Sequence, residues 1–494
     1  MSSQDSESYP AKSDLPQDKA VVSVDTHVAK LKDGAHTLTA RESLSSYFTI
    51  AAAGFGLISD GYQNNLMTMS NVIFKQLYPK AYTPAVSTRV SNALLVGAIL
   101  GQIFVGLLCD RLGRKVALVS TTLLIVLGAT LATAAHGAHG SAQGLFWFLT
   151  VARGITGVGV GGEYPAASTS ASEATNEKSI RHRGPVFIMV TNFVLSVRMS
   201  LKDSDFSYGS AYRRNESPEH SLACLFRNRG FTSFDGARLS SADAKLEALQ
   251  ERGHQTSCAL LASVQTLLET SDWHLWSMVV RFLYDFVTFP NGVFSGTIIS
   301  SVIKNSDIKK TAEWQLLLGA IALPGVFVGA ALCNPLGRRN TMMLGFSGYL
   351  VFGLIIGCSY DKITNIIPLF VIFYGLMQSF GNLGPGDMLG LVSAEGTCYG
   401  ISAAIGKTGA AVGTQAFTPI QTNLGKKYTF IIAAVCGITG ILVTYFFVPD
   451  MTGVDLADED AKFLQYLADN GWEGEVGEDD DKNLIVKEDS EKQY

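Results

Sequence analysis

Arg153 and Glu163 are ionisable residues in a run, Val151 to Ser168 (VARGITGVGVGGEYPAAS), that is otherwise apolar and dense in glycine. Such groups are expensive to place in hydrocarbon, and where they occur they tend to line a substrate or proton path. Asp60, in GLISDGYQNN, and Asp285, in RFLYDF, are carboxylates set in apolar runs in the same way. Arg153 precedes Glu163 by ten residues, nearly three helical turns, and is expected to pair with it or with Asp60. The chemistry this implies is passage of a charged solute. GVGVGG does not make the chain a nucleotide enzyme: it lacks the Lys-Ser/Thr of a P-loop and lies within an apolar helix.

The composition demands an apolar surrounding. With 47% hydrophobic and 16% charged residues over 494 positions, the chain is too apolar for a soluble enzyme of its length. Seven cysteines are scattered without metal-ligand spacing and read as packing residues. The net charge of -5 comes largely from an acidic tail, and no basic stripe supports nucleic-acid binding. The first forty residues carry no charged segment followed by an apolar core and cleavage site, so no cleaved signal peptide is expected.

A membrane-crossing helix needs about 20 mostly apolar residues. Ten such runs occur, at 47–69, 90–109, 115–135, 144–170, 275–303, 315–335, 341–358, 366–393, 399–418 and 428–448. The spacings Gly97 to Gly101 and Gly157 to Gly161 predict close helix approach. Basic loops at 110–115, at Lys178, Arg181 and Arg183, and at 337–339 put these connections, and with them both termini, in the cytoplasm. The expected organisation is a cytoplasmic tail over 1–45, a first bundle over 46–198, a polar insert over 199–272, a second bundle over 273–449 and an acidic cytoplasmic tail over 450–494. The stretch 184–197 is too short to span comfortably. Parity of the basic loops requires that two helices be missing or neither, so 184–197 reads as a stub and 199–272 as a disordered or mis-spliced insert.

Gly106 to Lys115 (GLLCDRLGRK) has an echo at Ala331 to Asn340 (ALCNPLGRRN), which suggests two related halves. Here the chain resembles the major facilitator superfamily, whose loop between its second and third helices carries G-x-x-x-D-R-x-G-R-[KR]. Asp110, Arg111, Gly113 and Arg114 match it as a conformational clamp on a helix end; the second copy has Asn334 and Pro335 instead of the acid and base. The resemblance implies an all-α polytopic fold of two pseudo-symmetric bundles, with the fifth and sixth helices truncated or replaced. Within the superfamily, 157–165 (GVGVGGEYP), 281–286 (RFLYDF) and 400–407 (GISAAIGK) resemble the phosphate:proton symporter family. FVTFPNGVFSGTIISSVI (286–303), MQSFGNLGPGDMLGL (377–391) and the stretch 448–475 resemble the fungal glycerophosphoinositol and glycerophosphocholine permeases of that family more closely still.

What the resemblance implies is uptake of a small anionic phosphate ester with protons as the coupling ion. It places Asp60, Glu163 and Lys407 at proton-coupling positions and Tyr164, Asp285 and Phe289 at substrate-contacting ones. The residue chemistry is consistent with this. A phosphate in a low-dielectric cavity needs cations and donors, which Lys407, Arg153 and Tyr164 supply, while buried carboxylates near a cation, Asp285 among them, can load and release a proton. Gly386 and Pro385 in GPGD are expected to break their helix; Asp387 is a weaker site candidate. No cofactor or metal is expected, and the implied assembly is a monomer in the plasma membrane. Three departures stand out: Arg281 replaces the family's tryptophan, the fifth-helix glutamine has no counterpart, and the loop near Glu395 to Cys398 is short. Inorganic phosphate as substrate, or a non-transporting receptor or defective product, are the alternatives.

Overall fold

A computed structural model describes residues 66–450 other than 113, 138–139, 177–183, 186, 190–271, 304–306, 393–395, together with Gln63 and Thr452. The first described helix, α1, occupies 66–77. It is followed by α2 (Pro84–Leu112), α3 (Arg114–Thr133) and α4 (Ala142–Asn176). After the gap come α5 (Asp272–Val302), α6 (Ile308–Ala322), α7 (Pro324–Leu332) and α8 (Arg338–Cys358). A short α9 (Tyr360–Ile363) leads to α10 (Ile367–Gly381), a π-helical turn (Asn382–Gly386), α11 (Asp387–Val392), α12 (Gly396–Asn423) and α13 (Lys427–Phe447). All ten apolar runs therefore contain helix, and among the described residues six spans are long and apolar enough to cross a membrane. α5 and α12 fall outside those six, and they are the helices that carry Arg281, Asp285 and Lys407.

Local chemistry sets several boundaries. Asp307 caps α6 by accepting a bond from the Lys309 amide at 2.9 Å, which satisfies a donor that the helix start leaves free. Pro324 restarts the path at the first turn of α7, the one helical position where its missing N–H costs little. Gly425 turns the chain between α12 and α13 at φ 109°, a conformation that side chains with a Cβ rarely adopt. GPGD does not stop its helix: the chain runs on from Ile367 to Val392, widened into a π turn that accommodates Pro385.

The first bundle is held by small residues where its backbones meet. A Cβ on Gly157 would lie 2.3 Å from the Leu94 carbonyl oxygen and 3.0 Å from the Gly97 Cα, so α2 and α4 touch backbone to backbone as the glycine spacing predicts. Near its 78–83 connection, Phe74, Tyr82 and Phe146 pack ring to ring with Met67, Val90 and Leu149. The second bundle has a larger core around Tyr284, Phe346, Phe370, Tyr374 and Phe430, and Phe187 and Ile188 of the 184–189 segment are buried in it. That segment docks beside Cys333 and Asn334; the rest of 190–197, like the polar stretch 199–271, lies outside the described residues.

The two bundles meet at the end that carries the 78–83 and 424–426 connections. Thr88 and Thr418 hydroxyls approach to 2.5 Å, Asn92 Nδ2 donates to the Ala411 carbonyl at 3.1 Å, and the Thr68 hydroxyl donates to the Gly292 carbonyl at 3.4 Å. A Cβ on Gly296 would sit 2.6 Å from the Thr68 carbonyl oxygen. α2 on α12 and α1 on α5 thus seal this end.

Candidate functional site

The site is built by the crossing of α5 and α12. Pro290 removes the amide that would bond the Phe286 carbonyl, and α12 lays Gly413 against that carbonyl, where a Cβ would lie 2.1 Å away. Gly409 meets the Phe282 carbonyl one turn earlier, at 2.4 Å by the same measure, and Gly406 faces Asp285. Glycines at 406, 409 and 413 make one smooth stripe, and the residue beside it, Lys407, is thereby brought to α5. Its Nζ stands 3.7 Å from the centre of the Phe289 ring, a cation held over an aromatic face.

Asp285 and Arg281 are both buried on α5, four residues apart and so on one face. The space a Cβ would take on Gly406 has Asp285 Oδ2 at 2.6 Å, Arg281 Cγ at 3.0 Å and Arg281 Nε at 3.3 Å around it. Lys407 and Arg281 both act electrostatically on Asp285. The cluster is therefore one carboxylate flanked by two cations, with an aromatic ring as its floor. Behind it, the Thr288 and Tyr349 hydroxyls bond at 2.8 Å, and the Tyr374 hydroxyl donates to the Asn291 carbonyl at 2.5 Å. The Tyr284 hydroxyl lies against Gly386 of the π turn, and Asp387, fully buried, acts on the same tyrosine. The widened turn thus brings a second carboxylate towards the polar layer.

The structure brings Asp285, Phe289 and Lys407 together. Tyr164, half-buried on α4, packs against the core of the second bundle and so faces across the interface. Glu163, its neighbour, is buried, with Oε2 lacking a hydrogen-bond partner among the described residues. Arg153 is elsewhere. It is 2% exposed, its Nε donates to the Val90 carbonyl at 3.2 Å, and its charge acts on Tyr82, towards the sealed end. It does not pair with Glu163: ten residues of helix separate the two by about 15 Å. Asp60 and Gly113 lie outside the described residues, as do the side chains of Asp110, Arg111 and Arg114. In the degenerate second copy of that motif, Gly337 takes φ 84°, and the Arg338 amide donates to the Thr452 hydroxyl at 3.1 Å.

Arg281 is the site residue that the sequence reading leaves out of its site. Its signal was present, since a cation inside the run 275–303 and four residues from a carboxylate satisfies the rule applied to Arg153. A groove of about 1210 Å³ between α2, α4 and α12 is a separate feature; Val96, Leu100 and Val151 on its wall are exposed and apolar, as a lipid-facing surface would be.

A helical bundle with buried charges at its centre and two halves sealed at one end is the architecture of a secondary transporter. The major facilitator proton:xylose symporter XylE has the same fold, with TM-score 0.64 at 15% identity over 87% of this chain and 100% of that one. The chain matches the sugar (and other) transporter family model over residues 47–197 and 214–463, and it belongs to that family. Its second matched segment begins inside the polar stretch set apart at 199–272. The chain is 48% identical to glycerophosphoinositol permease 1 of Candida albicans, over 88% of this chain and 84% of that protein. It is 43% identical to glycerophosphoinositol transporter 1 of Saccharomyces cerevisiae, over 90% of this chain and 87% of that one. It is a multi-pass membrane transporter and not an enzyme.

Proposed function

We propose that the chain takes up a glycerophosphodiester, such as glycerophosphoinositol or glycerophosphocholine, with protons as the coupling ion and by alternating access. The observation that carries this reading is the buried group of Asp285, Arg281 and Lys407 where α5 crosses α12, in a chain that shares 48% identity with a glycerophosphoinositol permease. A dehydrated phosphate monoanion needs compensating charge, and Arg281 and Lys407 are the cations this site offers. The hydroxyls of Thr288 and Tyr349 and the Phe289 ring suit the polyol and its carbon faces. Proton loading belongs to Glu163, Asp60, Asp285 and Lys407; the buried Glu163 beside Tyr164, whose Oε2 lacks a hydrogen-bond partner among the described residues, supports it.

No cofactor enters this mechanism: the free energy comes from the proton gradient. The protein works as a monomer in the plasma membrane with both termini cytoplasmic, an orientation that rests on the basic loops at 110–115 and 337–339. The sealed end then faces outward, and the bundles must part at Thr88–Thr418 to admit substrate.

The test is uptake of radiolabelled glycerophosphoinositol, with inorganic phosphate in parallel, at pH 5 and 7.5 in cells that lack their own permeases. Acid-stimulated uptake of the diester, abolished by Asp285→Asn, is the expected result. Preference for inorganic phosphate would move the assignment to a phosphate symporter, and no uptake of either would overturn it.

A further inference from the structure

We propose that the groove between α2, α4 and α12 is a binding site for a phospholipid of the surrounding bilayer, with the lipid phosphate on Arg89 and an acyl chain along the apolar wall. The site is separate from the Asp285 cluster and does not depend on which solute is carried. Arg89 lines the groove, and its guanidinium carbon lies 3.8 Å from the centre of the Trp147 ring. The indole covers one face of the guanidinium and leaves the donors at the edge of its plane. Arg89 Nε and Nη2 are buried without a hydrogen-bond partner among the described residues. A cation placed in this way is costly until an acceptor meets it. The groove itself offers no carboxylate, because Arg89 is the one ionisable residue among the described residues that line it. Arg153 of α4 does not share the site, since it is buried and donates to the Val90 carbonyl inside the first bundle.

The depth of the groove fits one leaflet. Arg89 and Trp147 each stand about 7.5 Å inside the starts of α2 and α4 at the sealed end, the level at which tryptophan and basic side chains meet lipid headgroups. From Arg89 the α2 wall runs on through Val96 to Leu100, about 16 Å further along the helix, which is half of a hydrocarbon core about 30 Å thick. Thr83 and Thr422 lie at the mouth with Arg89, while Val96, Leu100 and Val158 line the deeper part. Polar groups followed by an apolar length is the order of groups along a phospholipid. At about 1210 Å³ the groove is also larger than the roughly 300–1,000 Å³ of a small-ligand pocket. A headgroup without chains would leave the apolar length empty, so the charge at one end and the wall below it together select a lipid over a free phosphate.

The experiment titrates dioleoylphosphatidylglycerol into the delipidated full-length protein in detergent and counts retained lipids by native mass spectrometry. Wild type is compared with Arg89→Gln and with Gly154→Leu. Gly154 lines the groove, and a Cβ there meets nothing closer than the Ala93 carbonyl oxygen at 3.9 Å, so a leucine occupies the path of the chain while Arg89 stays in place. Loss of a charge-assisted bond should weaken retention of the tightest lipid by about 10- to 100-fold in Arg89→Gln, and Gly154→Leu should weaken it as well. Either variant decides the matter should the other fail to fold. Equal retention by wild type and the folded variants overturns the proposal. So does displacement of the lipid by glycerophosphoglycerol, the same headgroup without chains, at the lipid's own concentration, because that would mark a site for anions and not for lipid.

Discussion

Replacing Asp285 by asparagine should harm the protein less when Arg281 is neutralised with it. In the wild type the cluster of Asp285, Arg281 and Lys407 sums to one positive charge. Asp285→Asn raises that to two in a buried site, and removing one partner of a buried pair costs about 3–5 kcal/mol. For a unit the size of the second bundle, each kcal/mol moves the melting temperature by about 2–4 °C, so the single variant should melt about 6–20 °C lower. Arg281→Gln in the same molecule brings the charge back to one. If the penalty is electrostatic, the double variant should recover half of the loss or more, with a coupling energy of about 1–3 kcal/mol. Thermal unfolding of the purified transporter in detergent measures all three proteins without needing transport. A double variant no more stable than Asp285→Asn alone would refute the claim that the two cations share one carboxylate.

Three further outcomes follow from particular contacts. Cysteines at Thr88 and Thr418, whose hydroxyls stand 2.5 Å apart, should cross-link under oxidation, trap the sealed end shut and stop uptake until a reductant is added; unaltered uptake by a fully cross-linked protein would exclude this end as a gate. Gly413→Ala puts a methyl 2.1 Å from the Phe286 carbonyl, so α12 must shift by about 1 Å, at a cost of about 1–3 kcal/mol, and Lys407 must leave Phe289; a lower melting temperature with a higher KM is expected, against no change in either if the crossing is loose. Burial, and then the charge of Lys75, push the Lys426 ammonium down to about 8 from its ordinary 10.5. The folded sealed form therefore disfavours the charged lysine, with the full penalty below about pH 8 and relief as pH rises from there towards 10.5. Melting measured at pH 7 and 9.5 should show the wild type gaining on Lys426→Met, and a constant difference would remove the lysine from the account.

The helices were legible because each run had to be apolar along its length, and the Gly97 and Gly157 contacts because only glycine permits carbonyls at 2.2–2.3 Å from a Cβ position. Arg153 and Arg281 show where legibility stops. Both are arginines in apolar runs, and the same argument from desolvation applies to both. What separates them is the partner helix: Arg153 meets the Val90 carbonyl inside the first bundle, whereas Arg281 meets Gly406 and the charges of α12, more than a hundred residues away in sequence. The π turn is a similar case, since GPGD announces an irregular backbone but not that the helix will continue through it.

The glycine stripe on α12 joins these observations to function. Gly406, Gly409 and Gly413 carry no chemistry, yet they hold two helix axes close enough that Lys407 must sit among the α5 side chains. On the proposed function, an anion entering between the bundles meets charges that the packing of α5 on α12 holds in place. Any conformational change that moved α12 away from α5 would separate Lys407 from Asp285 and, on the proposed function, weaken the hold on the anion. On the proposed alternating-access reading, the α5–α12 contact stays intact while the α2–α12 and α1–α5 contacts at the sealed end break, and the bundles turn as units.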